Sequence, residues 1–219
     1  MADPDLDIVH PRVDRYLESL IPPRDRVMVE MEARARREGI PIVGPVVGRL
    51  FFQLVLISGA RRVMELGSAI GYSTMWWARA VGRGGKVWYT DSDPAKARDA
   101  RRYLRRGGVA DRVEILVGDA LECMRGVRGK FDIVFCDIDK PGYPEAFEAA
   151  MRRLRRGGLL VCDNTLWKGR VTFSAVSAKR DPATAAVRRF NRLAYGADDR
   201  AFATVIPLRD GVTVVVKRA

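Results

Sequence analysis

The chain is short of histidine, cysteine and long apolar runs, and each shortage removes a class of function. Its one histidine, His10, lies near the N-terminus, which nearly excludes histidine-dependent catalysis and histidine-rich metal sites. Three cysteines, Cys123, Cys136 and Cys162, are too few and too odd in number for a disulfide framework, and point to a reducing cytoplasm. No apolar run approaches the roughly 20 residues of a membrane span, so no membrane partner is expected. The opening Met1-Ala2-Asp3-Pro4-Asp5 is acidic and lacks the basic-then-apolar pattern of a signal peptide. Internal repeats, low-complexity tracts and linkers are absent. What is present is 219 residues, 47 % hydrophobic and 30 % charged, the balance of an ordinary globule of one large α/β domain or at most two small ones.

Charge of one sign is in excess. The chain carries 32 arginines and 7 lysines against 27 acids, a net charge of +12. Such an excess fits a nucleic-acid partner, an anionic substrate, or a genome that favours arginine codons. The positions of the arginines separate these readings. Arg101-Arg102 and Arg105-Arg106 precede Gly107-Gly108, and Arg152-Arg153 and Arg155-Arg156 precede Gly157-Gly158. Both sets read as cations closing a helix before a glycine cap. Aromatic and basic residues do not interleave as on a nucleic-acid surface.

The first forty residues read as helices with turns, broken at Pro22-Pro23, with a charged helical stretch from Asp25 to Glu38. Val46, Val47, Leu50, Phe51, Leu54 and Ile57 repeat at a helical period across Pro45–Ser58. Short apolar runs then alternate with helical segments. The runs are Val63–Leu66, Val87–Thr90, Val113–Val117, Ile133–Asp137 and Leu159–Asp163; the helices are Ser73–Val81, Pro94–Arg106, Ala120–Arg125 and Tyr143–Leu154. This alternation predicts a parallel sheet covered on both faces. After a helix at Asp181–Tyr195, runs at Phe202–Pro207 and Val212–Lys217 are joined through Arg209-Asp210-Gly211. Asp-Gly signals a tight hairpin, so the last two strands are expected to be antiparallel.

In such sheets ligands bind at the carboxyl ends of the strands. The first end reads Glu65-Leu66-Gly67-Ser68-Ala69-Ile70-Gly71-Tyr72-Ser73-Thr74. Gly67 and Gly71 allow a tight turn and close backbone approach, and Ser73 and Thr74 can cap the next helix. The second ends Thr90-Asp91-Ser92-Asp93-Pro94. Asp91 is spaced from Gly67 as a ribose-binding acid would be; Asp93, before Pro94, reads better as a helix cap. Asp119-Ala120 at the third end suits an adenine edge contact or a helix cap equally. The fourth and fifth ends carry Asp137 and Lys140, and Asp163 and Asn164. Clustered carboxylates repel unless protonated or bridged by a cation. Three oxygen ligands with open positions suit Mg²⁺, or Ca²⁺ or Mn²⁺, and Lys140 lies within reach of a substrate there.

Four segments carry a family resemblance: Val63–Thr74, Gly118–Leu121, Phe131–Lys140 and Asp163–Trp167. Through them the chain resembles the cation-dependent O-methyltransferases that use S-adenosylmethionine, the catechol and caffeoyl-CoA type and their bacterial relatives, over roughly 41–217. The resemblance implies a Rossmann-like α/β fold of the class I methyltransferases, a mostly parallel seven-stranded sheet with helices on both faces and a C-terminal antiparallel hairpin. It makes residues 41–219 the methyltransferase domain, with 1–40 a helical segment of the same domain. It places Val43 and Gly44 at the methionine end of the cofactor, and Glu65, Gly67, Gly71 and Ser73 in the loop that holds its amino and carboxylate groups. Asp91 becomes the ribose acid, although many relatives carry Glu there. Asp119 and Ala120 become the adenine contacts. Asp137, Asp163 and Asn164 match the metal ligands, with Asp137 also beside the cofactor, and Lys140 matches the catalytic base. Ala69 departs from the larger residue common in relatives.

The implied reaction is methyl transfer to a hydroxyl of a small catechol-like acceptor. A chelated cation acidifies the hydroxyl and disfavours charged lysine, and the oxyanion attacks the sulfonium methyl in line. A tRNA hydroxyuridine O-methyltransferase on the same scaffold is the alternative, raised by the charge; a cofactor-binding protein without turnover is a third reading, opposed by the intact Asp137, Lys140, Asp163 and Asn164. The family is usually homodimeric. Lys168 and Arg170 follow the metal motif and are candidates for an anionic substrate. Trp167 fits either a substrate ring or packing. Trp76 and Trp77 are expected to pack. Cys136 and Cys162 each precede a ligand, so both thiols are expected to face away from the metal and to meet in the core.

Overall fold

The computed structural model describes residues 6–173, 178–197 and 199–219. The acidic opening segment lies outside the described residues. The elements are α1 (Pro11–Ser19), α2 (Arg26–Glu38), α3 (Gly44–Ser58), β1 (Arg62–Leu66), α4 (Tyr72–Val81), β2 (Lys86–Asp91), α5 (Pro94–Arg106), β3 (Val113–Val117), α6 (Ala120–Gly126), β4 (Phe131–Cys136), α7 (Tyr143–Arg153), β5 (Leu154–Cys162), α8 (Pro182–Tyr195), β6 (Ala201–Ile206) and β7 (Val212–Lys217). The strand order is β3-β2-β1-β4-β5-β7-β6. β1 with β2, β2 with β3 and β4 with β5 run parallel; β7 is antiparallel to both β5 and β6. This is the mostly parallel, seven-stranded architecture expected. Among the described residues no helix is long and apolar enough to cross a membrane.

The chain divides into two compact units, Tyr16–Arg128 and Met1–Arg15 with Gly129–Ala219. In the first, β1 and β2 are buried on both faces, which is why they read as continuous apolar runs. α2 begins where the Asp25 carboxylate accepts the Val27 and Met28 N–H groups and ends at Gly39, φ 66°. Asp93 caps α5 by accepting the Ala95 N–H at 2.7 Å, with Pro94 at the first helical position. Trp77 is fully buried and stacks on Phe51 with ring centroids 4.2 Å apart, so its packing role stands. Glu32 is buried in α2 and is held by two Arg24 bonds of 2.9 and 2.8 Å and by the Tyr72 hydroxyl at 2.7 Å.

In the second unit α8 starts at the Asp181 cap, and β4 and β5 bring their carboxyl ends side by side. Cys136 and Cys162 are register partners, both buried and both free thiols. Burial pushes the Cys162 thiol well up, followed by the effect of Cys136. The pair is therefore two inert core residues, as expected.

Two local expectations are corrected. α4 begins at Tyr72 with Gly71 at the cap position, φ 84°, and neither Ser73 nor Thr74 caps it. Glycine reaches that backbone freely, and the Thr74 hydroxyl instead donates to the Glu65 carboxylate. Arg155 and Arg156 do not close a helix. The chain turns extended at Leu154 (φ −74°, ψ 145°), because Leu154 pairs with Phe131 on β4, and Arg155 then binds Asp132 at 2.5 Å. Arg105 and Arg106 do end α5. The expected antiparallel hairpin forms, closed by a loop longer than a two-residue turn. β6 stops at Ile206 and β7 starts at Val212, and the intervening loop spends its polar groups on residues 165–168.

Several arginines are consumed in ion pairs: Arg34 with Asp99 and Glu38, Arg79 with Asp25, Arg106 with Glu30, and Arg200 with Glu148. Each pair is neutral and acts locally on the fold, so the +12 excess resides in other basic residues.

Candidate active site

The first unit holds the glycine-loop half. β1 runs into Gly67, φ 81°, and the loop returns through Gly71 into α4. A Cβ on Gly71 would stand 3.0 Å from the Ala100 Cβ, so the helix start is packed against α5. The loop is pinned to β2. Ser68 N–H donates to the Thr90 carbonyl at 2.9 Å, and Ala69 N–H donates to Asp91 Oδ2 at 2.9 Å. The other Asp91 oxygen accepts Asp93 N–H at 2.9 Å. The Tyr89 hydroxyl donates to the Ala69 carbonyl at 2.6 Å, and burial holds that phenol well above its usual range. Ala69 itself has φ 43°. Asp91 thus orders the loop, and each oxygen keeps a second lone pair for a ligand hydroxyl. Ser73 is buried in the first turn of α4, and Glu65 is fully buried beneath it. Val43 and Gly44 form the start of α3, both buried, with Gly44 at φ 73°. Asp119 caps α6 by accepting Glu122 N–H at 2.9 Å, with Ala120 next; the capping role is therefore filled.

The second unit holds the acidic half, with Asp137 and Asp163 one residue beyond β4 and β5. Asp163 N–H donates to the Cys136 carbonyl at 3.2 Å, which locks the two strand ends together. Lys140 lies on the single turn Lys140–Gly142 and is buried. Its ammonium donates to Asp137 Oδ1 at 3.1 Å, Asn164 Oδ1 at 2.8 Å and the Tyr143 hydroxyl at 2.7 Å, which employs all three of its protons. The Tyr143 hydroxyl in turn donates to the Asp163 carbonyl at 2.8 Å. Burial drives the Asp163 carboxyl up to about 7, assisted by the neighbouring Asp137. Asp137 is also raised by burial, against the pull of Lys140 and then Arg209.

The segment after Asp163 is strained and clasped. Asn164, Trp167 and Lys168 have φ of 54°, 50° and 52°, and Arg209 on the β6–β7 loop has 51°. With Ala69, these are the five non-glycine residues of positive φ among the described residues, and all five fall in the two candidate halves. Such strain persists only where neighbours over-determine it, and it gathers at functional sites. Here the neighbours are on the β6–β7 loop. Thr165 N–H donates to the Gly211 carbonyl and Leu166 N–H to the Asp210 carbonyl, both at 2.9 Å, and Lys168 N–H donates to the Asp210 carboxylate. Asn191 on α8 adds a bond to the Thr165 carbonyl at 2.9 Å.

The structure thus joins Asp137, Lys140, Asp163 and Asn164 in one cluster. The Trp167 ring centroid lies 5.5 Å from the Lys140 nitrogen, beside the same cluster. Lys168 is exposed, and Arg170 lies 3.3 Å from Asp181. Tyr143, Arg209, Asp210 and Gly211 escaped sequence reasoning. Tyr143 follows Lys140 by three residues, a spacing that brings side chains together on a helical turn, and that signal was there to use. The clasp had no local signal.

Two carboxylates and one amide are hard oxygen donors of the kind Mg²⁺ and Ca²⁺ take. Among the described residues no three His, Cys, Asp or Glu gather to hold a metal, so a cation here has to use the Asn164 oxygen as well. Burial is the first cause of the raised Asp163 carboxyl and the Asp137 charge the second, while Arg209 and Lys140 pull it down.

A family model described as O-methyltransferase matches residues 28–218. A catechol O-methyltransferase of Niastella koreensis is 32 % identical over 202 residues, covering 90 % of each chain. One of Mycobacterium tuberculosis is 36 % identical over 183 residues, covering 82 % of this chain and 80 % of the relative. The crystal structure of an O-methyltransferase from Bacillus cereus in complex with SAH superposes with a TM-score of 0.85 at 31 % identity, covering 94 % of this chain and 97 % of that one.

Proposed function

The chain belongs to the O-methyltransferase family, and from that premise we propose that it transfers a methyl group from S-adenosylmethionine to one hydroxyl of a small catechol-like acceptor, with a divalent cation and Lys140 as base. The observation that carries the reading is the Lys140 ammonium bridging Asp137 and Asn164 beside the high-lying Asp163. Asp137, Asp163 and Asn164 would hold the cation, which when bound supplies a Lewis acid that acidifies paired hydroxyls. Gly67, Ser73, Asp91, Asp119 and Ala120, with Val43, Gly44, Glu65 and Gly71, would hold the cofactor. It supplies an electrophilic methyl: the acceptor oxygen bonds to that carbon as the C–S bond breaks and its electron pair stays on sulfur, leaving S-adenosylhomocysteine.

Lys140 accepts the hydroxyl proton, and this requires that it first give up one of the three it shares with Asp137, Asn164 and Tyr143. Tyr143 orients that lysine from below, and the clasped segment fixes Asn164 and Trp167 around the acceptor. Positioning of this kind is where the protein contributes most to an in-line displacement. A homodimer and a cytoplasmic location belong to the same reading through the family resemblance.

The test is transfer from labelled S-adenosylmethionine to a catechol panel and to bulk unmodified tRNA, with and without chelator. Catechol turnover is expected to vanish on chelation while cofactor binding largely persists. Undiminished turnover in metal-free enzyme overturns the metal role. Transfer only to tRNA, falling steeply with salt, overturns the catechol acceptor in favour of a hydroxyuridine.

A further inference from the structure

The buried face of α2 is made of Met28, Met31, Glu32 and Ala35, and Glu32 is its one charged residue. Its carboxylate is met from two sides. Arg24, just ahead of the helix, donates through two parallel bonds, Nε to Oε1 at 2.9 Å and Nη2 to Oε2 at 2.8 Å. The Tyr72 hydroxyl donates to Oε1 at 2.7 Å. Glu32 is 4 % exposed and Tyr72 1 %. Apolar residues of similar volume would serve the stability of such a face as well or better, so the charge is accounted for by what it holds. Tyr72 is the first residue of α4, between Gly71, φ 84°, and Ser73. Ser68 and Ala69 pin the first half of the glycine loop to β2. Tyr72 pins its second half to α2.

We propose that Glu32 is a positioning residue for the cofactor: through Tyr72 it sets the start of α4, and with it Ser73, against the carboxylate of S-adenosylmethionine. This rests on the cofactor assignment made above. Arg24 fixes the carboxylate in one orientation. Burial pushes the Tyr72 phenol far above its usual range, so its hydroxyl stays the donor. Glu32 acts on the cofactor through the backbone of residues 71–73 and has no need to touch it. α2 thereby becomes part of the cofactor site.

The test is calorimetric binding of S-adenosylhomocysteine to the full chain, which needs neither acceptor nor cation, with melting temperature read on the same samples. Tyr72→Phe and Glu32→Leu each remove the bond. The double variant Glu32→Leu/Tyr72→Phe leaves an apolar pair, and Arg24, a quarter exposed, can turn to water. All three are expected to bind about tenfold more weakly, the scale of one hydrogen bond to a charged group. The double variant is expected to lose no more than either single one, because the same interaction is lost in each, and to melt near wild type. Glu32→Gln keeps an acceptor for Tyr72 and is expected to stay within about threefold of wild type. Met28→Ala opens a cavity on the same face, and is expected to melt lower yet bind as tightly as wild type. In turnover the loss is expected in KM for S-adenosylmethionine rather than in kcat. Full affinity in Tyr72→Phe or in the double variant, or a loss in Met28→Ala as large as theirs, overturns the inference and leaves the cofactor assignment intact. A wild-type chain that does not bind S-adenosylhomocysteine overturns both.

Discussion

Gly211→Ala tests whether the β6–β7 loop holds the site in shape. Gly211 has φ 84°, and a Cβ there would stand 2.5 Å from Leu166 Cγ and 2.9 Å from the Leu166 backbone nitrogen. Two costs add. Left-handed backbone costs a residue with a side chain about 1–2 kcal/mol, and the overlap has to be relieved by a shift worth about 1–3 kcal/mol. A total of about 3 kcal/mol lowers the melting temperature of a chain of this size by about 10 °C. Gly39→Ala isolates the first cost. Gly39 has φ 66° and nothing within 4 Å of its Cβ, so it is expected to lose only about 1 kcal/mol. The overlap pushes on Leu166, two residues from Asn164, so kcat at fixed Mg²⁺ is expected to fall more than tenfold, roughly the cost of a misplaced group in a positioned reaction. Affinity for S-adenosylhomocysteine is expected to hold within about threefold, since all the residues assigned to it except Asp137 belong to the other unit. Differential scanning calorimetry and steady-state kinetics supply the readings. A Gly211→Ala enzyme as stable and active as Gly39→Ala refutes the clasp.

Lys140→Ala is expected to lower kcat by about 10²–10⁴, the range of general-base removal, while weakening cofactor and acceptor much less; equal losses in kcat and affinity speak against a base. Tyr143→Phe removes bonds of 2.7 Å to Lys140 and 2.8 Å to the Asp163 carbonyl. It is expected to destabilise the protein by about 1–3 kcal/mol, because a buried carbonyl and an ammonium each lose a partner; urea titration measures it. Metal-free protein is expected to lose stability as pH rises from about 4 to about 7. Asp163 ionises near 3.8 when unfolded and near 7 when folded. The native state therefore holds the extra proton inside that window, and the proton's stabilisation is fully present below it. Thermal melts in chelator across that range check the sign, and stability rising with pH through the Asp163 window contradicts the burial of that carboxyl.

The alternation of strands and helices, the strand ends that carry Asp137 and Asp163, and the pairing of Cys136 with Cys162 were all legible in the chain. Each depends on local periodicity, and periodicity is written in neighbouring residues. The helix cap at Asp93 was legible for the same reason. Arg155 and Arg156 misled because a helix end and a strand start share the same arginine-glycine spelling; only the pairing of Leu154 with Phe131 decides between them. The Asp-Gly signal marked the antiparallel hairpin of β6 and β7 correctly but said nothing of its carbonyls and carboxylate satisfying residues 165–168, more than forty positions away in the chain. Thus the sequence by itself determined which chemistry the chain can attempt, since oxygen donors, a lysine and turn glycines are set by residue type and spacing. Only the tertiary structure decided how that chemistry is held. The orphan amides of a strained loop take whatever acceptors folding brings near, and here it brought Asp210 and Gly211, with Arg209 alongside.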